Sequence, residues 1–248
     1  MIRKLSRNIR IYGEISSTNE ELNRLLKEEE LEEGAIVKAD FQTSGKGYQG
    51  NIWQSERGMN LLFSILLKPE FLKIKDAFQV SRICSLAIAE VIDKQKLDSC
   101  IKWPNDILIG NRKVCGILIE NSMLGDRILH SVIGIGLNVN QGKFNSDIPA
   151  ATSLFLEKGC QFDMNIILED FRSALESWYQ VLIMGHTERI MDAYLDRLYL
   201  FDEPAAYSDG ESEFMARISG VLPGGELELV TDAGELRTYG FKEIEYLV

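Results

Sequence analysis

The chain has 248 residues, 45 % of them hydrophobic and 26 % charged, with a formal net charge of -11. That length suits one sizeable domain or a domain with a small companion, and the composition is that of a soluble globular protein. The acidic balance argues against a duplex-binding surface, no apolar run reaches the length of a membrane span, and the opening Met-Ile-Arg-Lys-Leu-Ser-Arg-Asn leads into no apolar core of a signal peptide. Neither nucleic acid nor membrane is therefore expected as a partner, and a cytoplasmic location is.

Residues 8–13 read as a short strand. Ser16-Ser17-Thr18-Asn19 then precedes a pattern with Leu22, Leu25 and Leu26 on one face. Thr18 and Glu21 have capping-box spacing, so a helix is expected to start there and end by Gly34. Ala35–Phe41 reads as a strand, and Asn60–Lys68 as a buried one. Residues 76–96 carry apolar positions near a 3.6 period, which predicts a long helix on the sheet. Short strands follow at Cys100–Trp103, Asp106–Ile109, Arg112–Glu120 and Ile128–Val139, separated by Gly110-Asn111 and Leu124–Arg127 turns. Helices are expected at 164–184 and 187–199.

From Pro204 the pattern changes to strands at 205–207, 214–221, 226–230, 236–239 and 244–247. Residues 202–248 hold 11 carboxylates against 3 basic groups. This predicts a catalytic-size domain over 1–200 and a small β-barrel over 201–248, too small to be very stable unless docked. The expected class is α+β, with a mixed, largely antiparallel sheet packed by helices. Cys84, Cys100, Cys115 and Cys160 form no CxxC pair and are expected to be core thiols. His130 and His186 are isolated, and make neither a zinc site nor a triad.

Residues 41–53 are the most unusual stretch. Gly45, Gly47 and Gly50 surround Lys46, and no carboxylate occurs between Asp40 and Glu56. Such a loop can bring backbone N–H groups close to an anion, although a surface hairpin is the alternative. Gly45–Gly50 matches G-x-G-x-x-G, yet no helix follows it, so a dinucleotide fold fails on context. A protein kinase fails as well, because H-R-D and D-F-G are missing. Downstream, Lys102-Trp-Pro-Asn-Asp106 packs a cation, an aromatic, an amide and a carboxylate around a proline. Gly134-Ile-Gly-Leu-Asn-Val-Asn140 allows close backbone approach and ends in amides. Period-2 alternation puts Lys113, Cys115 and Ile117 on one face of their strand, with Val114, Gly116 and Leu118 on the other. Lys46, Lys102 and Lys113, with Asn105, Asn138, Trp53 and Trp103, describe a nucleotide-and-anion site.

These stretches carry a resemblance to the biotin–protein ligases. The matching residues are Ser17-Thr18-Asn19, Gln42–Gly47 with Trp53 and Ser55, Lys102–Asp106, Lys113–Glu120 and Gly134–Asn140, in order over residues 8–140. The end of the chain resembles the family's SH3-like barrel, and the first part its synthetase-like catalytic domain. The resemblance implies a two-step reaction, in which biotin and Mg-ATP give biotinyl-5′-adenylate and a lysine of a biotin carboxyl carrier domain then takes the biotinyl group. It implies that Ser17, Thr18, Asn19, Gln42, Gly45, Gly47, Gly116, Leu118 and Gly136 contact biotin. Lys113 would bridge the biotin carboxylate and the α-phosphate, Lys102 would give a second phosphate contact, and Lys46 would be the loop cation. Trp53, Asn105 and Asn138 would face the nucleotide, and Asp106 would orient Mg²⁺ or a neighbouring donor. The loop would act as a lid over the adenylate.

The loop departs from the arginine-rich family pattern by carrying Lys46, Tyr48 and Asn51, so Tyr48 and Asn51 are not expected to touch phosphate. Ser17 comes too early for the N-terminal DNA-binding domain of many relatives, which implies a monofunctional enzyme. The alternatives are a lipoate–protein ligase and a biotin-sensing regulator without activity. Neither the oligomeric state nor the carrier is specified by the sequence.

Overall fold

A computed structural model describes residues 4–47, 51–145 and 150–247. The first sheet has seven strands: β1 (Ile9–Tyr12), β2 (Ile36–Ala39), β3 (Leu61–Leu67), β4 (Cys100–Lys102), β5 (Asp106–Ile109), β6 (Arg112–Leu124) and β7 (Arg127–Leu137). They lie in the order β1-β2-β3-β7-β6-β5-β4, parallel only between β1 and β2. The expected mixed, largely antiparallel sheet is therefore present.

The Leu-Leu-Phe-Ser-Ile-Leu-Leu run of β3 is buried on both faces. Its odd members Leu61, Phe63, Ile65 and Leu67 join the main core under α2 (Phe78–Lys94) and α4 (Met164–Ile183). Leu66 on the opposite face packs with Leu22 and Leu25 of α1 (Thr18–Glu28), Val37 of β2 and Val132 of β7. Full burial of a side chain such as Leu22 contributes roughly 1.5–3 kcal/mol. Helix α1 thus covers only part of one sheet face, and a cleft opens beyond its N-terminus.

Several expectations need correction. The capping box does not form. Ser17 is the N-cap without a side-chain bond, and Glu21 accepts from Tyr12 and Arg24 instead. Helix α1 itself starts at Thr18 and ends at Glu28, within the expected limit of Gly34. The expected helix over 187–199 stops at Leu195 (α5, Thr187–Leu195), because Arg197–Tyr199 pairs with Ile101 at the sheet edge. A short helix, α3 (Leu154–Lys158), was not anticipated; Ser153 caps it and Gly159, at φ 76°, ends it. Cys84 and Cys115 are core thiols, whereas Cys100 is half-buried and Cys160 exposed; all four are free.

The second sheet holds β8 (Ala205–Ser208), β9 (Glu213–Val221), β10 (Leu227–Thr231), β11 (Leu236–Tyr239) and β12 (Glu245–Tyr246), antiparallel in the order β11-β10-β9-β8-β12. It is docked on the first part of the chain. The fully buried Arg82 of α2 donates to the Val221 and Leu222 carbonyls at 2.7 and 2.9 Å. Trp103 Nε1 donates to the Gly225 carbonyl at 2.8 Å, and its ring packs on Phe241 with centroids 5.3 Å apart.

Candidate active site

The cleft lies on the α1 face of the sheet, beyond the N-terminus of that helix. Its floor is made of glycines in register. Gly116 of β6 pairs with Gly136 of β7, and Leu118 with Gly134. A Cβ on Gly136 would stand 2.5 Å from the Trp53 indole, and one on Gly116 would stand 3.0 Å from it. A Cβ on Gly134 would meet Asn19 Oδ1 at 2.4 Å. These three positions are glycine because other groups need the space, not because of their backbone angles.

A bulge sets the chemistry of β6. Ile107 pairs with Cys115 and Leu108 with Lys113, leaving Val114 unpaired. Val114 and Cys115 both enter the core, and the alternation resets. Lys113 consequently stands on the cleft side with Gly116 and Leu118, not with Cys115 and Ile117 as strict alternation requires. Its ammonium sits 2.6 Å from the Asp106 carboxylate and 5.6 Å from the Trp53 ring centroid. Lys113 is also tied through its backbone to Ala150 and Thr152.

The polar wall comes from the start of α1 and its neighbours. Gln42 Oε1 accepts from Thr18 N at 2.7 Å and lies 3.0 Å from Thr18 Oγ1. Ser64, the lone polar residue of β3, lies 2.7 Å from Thr18 Oγ1 and 2.6 Å from Asn19 Oδ1. Asn19 Nδ2 donates to Glu120 at 3.0 Å, as does Asn23 Nδ2 at 3.1 Å. Lys46 stands at the mouth, held by Glu20 at 2.7 Å; that bond raises the lysine's pKa and lowers the carboxylate's. The flanks on either side of residues 48–50 pair antiparallel, with Gly47 N to Asn51 O at 2.7 Å and Trp53 N to Gly45 O at 2.9 Å. Tyr48 and Gly50 lie outside the described residues.

Of the residues singled out in the sequence, the cleft brings together Ser17, Thr18, Asn19, Gln42, Lys46, Gly47, Trp53, Asn105, Lys113, Gly116, Leu118 and Gly136. Gly45 packs behind Trp53 instead of lining the wall. Lys102 faces the second sheet, its ammonium 4.8 Å from the Tyr246 ring centroid. Asn105 lines the cleft and donates to the Ile117 carbonyl at 2.8 Å. Asn138 donates to the Thr152 carbonyl at 2.9 Å, while its buried Oδ1 has no hydrogen-bond partner among the described residues, as is also true of Trp53 Nε1. Asn138 is not among the residues that line the cleft, whereas Trp53 is. Asp106 meets Lys113, and among the described residues no three acidic, histidine or cysteine groups come together as a metal site. Sequence reasoning gave no role to Ser64 or Glu120. A single serine inside an apolar buried strand is the signal by which Ser64 could have been found.

Comparison with known proteins places the chain in a family. Residues 12–138 match the model of the biotin/lipoate A/B protein ligase family, and the chain belongs to that family. It is 32% identical over 176 residues to the bifunctional ligase/repressor BirA of Bacillus subtilis, covering 68% of this chain and 53% of that protein. The chain thus spans about half the length of that relative. It is 29% identical over 225 residues to the biotin–(acetyl-CoA-carboxylase) ligase of Paracoccus denitrificans, covering 88% of this chain and 92% of that one. The biotin protein ligase of Aquifex aeolicus, solved in complex with biotin and ATP, superposes with a TM-score of 0.80 at 25% identity, covering 97% and 99% of the two chains.

Proposed function

We propose that this chain is a biotin–protein ligase. The biotin carboxylate attacks the α-phosphorus of ATP, the bond to the β-phosphate breaks, and pyrophosphate leaves. The ε-amine of a carrier-domain lysine then attacks the carbonyl of the mixed anhydride. The amide forms, the amine gives up a proton, and AMP leaves. The relatives named for biotin ligation, and the structure from Aquifex aeolicus with biotin and ATP, support this reading.

The observation that carries it is the placement of Lys113 on the cleft side, beside the glycine pair Gly116 and Gly136 on which the Trp53 indole rests. Two anions must meet there, and a fixed cation offsets their repulsion and the charge that grows at phosphorus. Lys113 takes that role and Lys46 supplies charge at the mouth. Ser17, Thr18, Asn19, Gln42, Gly47, Gly116, Leu118 and Gly136 take the biotin end, and Trp53, Asn105 and Asn138 the nucleotide end. Magnesium would be held mainly by phosphate oxygens, with Asp106 as its protein ligand or as the partner that steadies Lys113. Lys102 would have to leave Tyr246 to reach a phosphate, and we assign it no contact. The residues over 1–200 would form the catalytic domain, and 201–248 the small companion. Among the described residues no helix is long and apolar enough to cross a membrane.

The test is transfer. The purified chain, ATP, magnesium and a biotin carboxyl carrier domain should yield an avidin-reactive carrier with biotin. Modification by lipoate under the same conditions, with none by biotin, would assign the chain to the lipoate branch of its family.

A further inference from the structure

Ser64 and Glu120 stand outside every role assigned above, yet the two side chains are joined through the wall of the cleft. The links are Glu120 to Asn19 Nδ2, Asn19 Oδ1 to Ser64 Oγ, and Ser64 Oγ to Thr18 Oγ1, at 3.0, 2.6 and 2.7 Å. Thr18, Asn19 and Ser64 are all buried, so water does not compete for the two bonds at Ser64, while Glu120 is half-buried.

The donors and acceptors along this chain can be assigned. Glu120 accepts, so the Asn19 atom facing it is the NH₂ group and the atom facing Ser64 is the carbonyl oxygen. That oxygen can only accept, so the single hydrogen of Ser64 goes to Asn19. The 2.7 Å contact between Ser64 and Thr18 then needs the hydrogen of Thr18. The alternative, with Thr18 donating to Gln42 and Ser64 donating to Thr18, would set Ser64 Oγ against Asn19 Oδ1 at 2.6 Å with no hydrogen between them. Gln42 Oε1 keeps its donor in either case, the Thr18 backbone N–H.

We infer that Glu120 and Ser64 are positioning residues that fix the polarity of Thr18. Through Asn19 they draw the Thr18 hydrogen away from the cleft, so that Thr18 Oγ1 meets a ligand as an acceptor. The wall then selects an N–H donor at that point, as a urea nitrogen supplies, and disfavours a carbonyl there. Asn23 donates to the same carboxylate and holds it in place. The inference rests on the biotin reading and adds how one end of that ligand is told from its look-alikes. The strength of this selection comes from burial, since a hydroxyl held in one orientation leaves a mismatched partner unpaired.

The test is a double-mutant cycle on biotin affinity, measured by titration calorimetry with the full chain. Ser64→Ala should weaken biotin binding several-fold, because the Thr18 hydrogen then keeps only Gln42 Oε1, at 3.0 Å, as an acceptor within the wall and is less firmly held. Thr18→Ala should weaken it by a similar factor. The double variant should bind within about twofold of Thr18→Ala alone, since Ser64 acts only through that hydroxyl. Glu120→Leu should weaken binding, while Glu120→Gln, whose amide oxygen still accepts from Asn19, should restore most of it. The KM for ATP should stay unchanged throughout, which a general loosening of the fold would not allow. Fully additive losses in the cycle, or wild-type affinity in Ser64→Ala, would overturn the inference while leaving the ligase reading standing. A wild-type chain that bound no biotin would end both.

Discussion

The Lys113 ammonium lies 2.6 Å from the Asp106 carboxylate, across the bulged pairing of β5 and β6. The pair is partly open, with side chains 36% and 27% exposed, so it adds little to stability and acts mainly on where the cation points. Asp106→Asn should therefore lower the rate of biotin adenylation by about tenfold with little change in thermal stability. Steady-state kinetics beside a melting curve separates the two. An equal fall in both would mean that the pair holds the fold and not the lysine.

The glycine floor is equally specific. Gly136→Ala places a methyl group 2.5 Å from the Trp53 indole and should push that ring from its seat, at a cost of about 1–3 kcal/mol. Trp53 fluorescence should shift and ligand affinity fall. Gly13→Ala, where a Cβ meets nothing within 4 Å, is the matching control and should be silent in both.

The second sheet is expected to depend on its docking. Trp103→Leu removes the bond to Gly225 and the packing on Phe241, a loss of about 2–4 kcal/mol. Denaturant unfolding should show a lower midpoint. The same segment carries Asn105 and Asp106, so adenylation should fall as well. Unchanged catalysis in a destabilised Trp103→Leu would uncouple the second sheet from the cleft.

One histidine gives a pH signature. Burial, and then the charge of Lys68, lower the pKa of His130 below its usual 6.5. The unfolded chain therefore binds this proton more readily than the folded one. The contribution is full above the unfolded value and is lost as pH falls below it through the folded value. Between pH 7.5 and 5.5, His130→Gln should lose less melting temperature than the wild type. An identical loss in both would show that His130 is not responsible.

Much of this fold was legible because its signals are local. The apolar run of β3, the Gly110-Asn111 turn and the turn-punctuated end of the chain all name their elements directly. The missed helix α3 also had its signal, Ser153 at one end and Gly159 at the other, but five residues are too few to show a period. The end of α5 was not legible, since it is set by pairing with Ile101. The side of β6 on which Lys113 stands was misread for a related reason. A bulge is a relation between two strands, and nothing in β6 alone reports that Val114 is skipped. The resemblance implies a phosphate contact for Lys102, and the sequence does not show that Tyr246, far along the chain, is its neighbour in space. The polar relay through Ser64 needed the tertiary structure, because its members come from α1, β3 and β6.

The account turns on Lys113 as the cation that brings the biotin carboxylate to the α-phosphate. Its most direct test is exchange of labelled pyrophosphate into ATP, with and without biotin, in the wild type and in Lys113→Ala. Exchange should depend on biotin in the wild type and disappear in the variant, with the fold retained. Wild-type exchange in Lys113→Ala would contradict the assignment of that lysine, and no biotin-dependent exchange in the wild type would contradict the proposed activity itself.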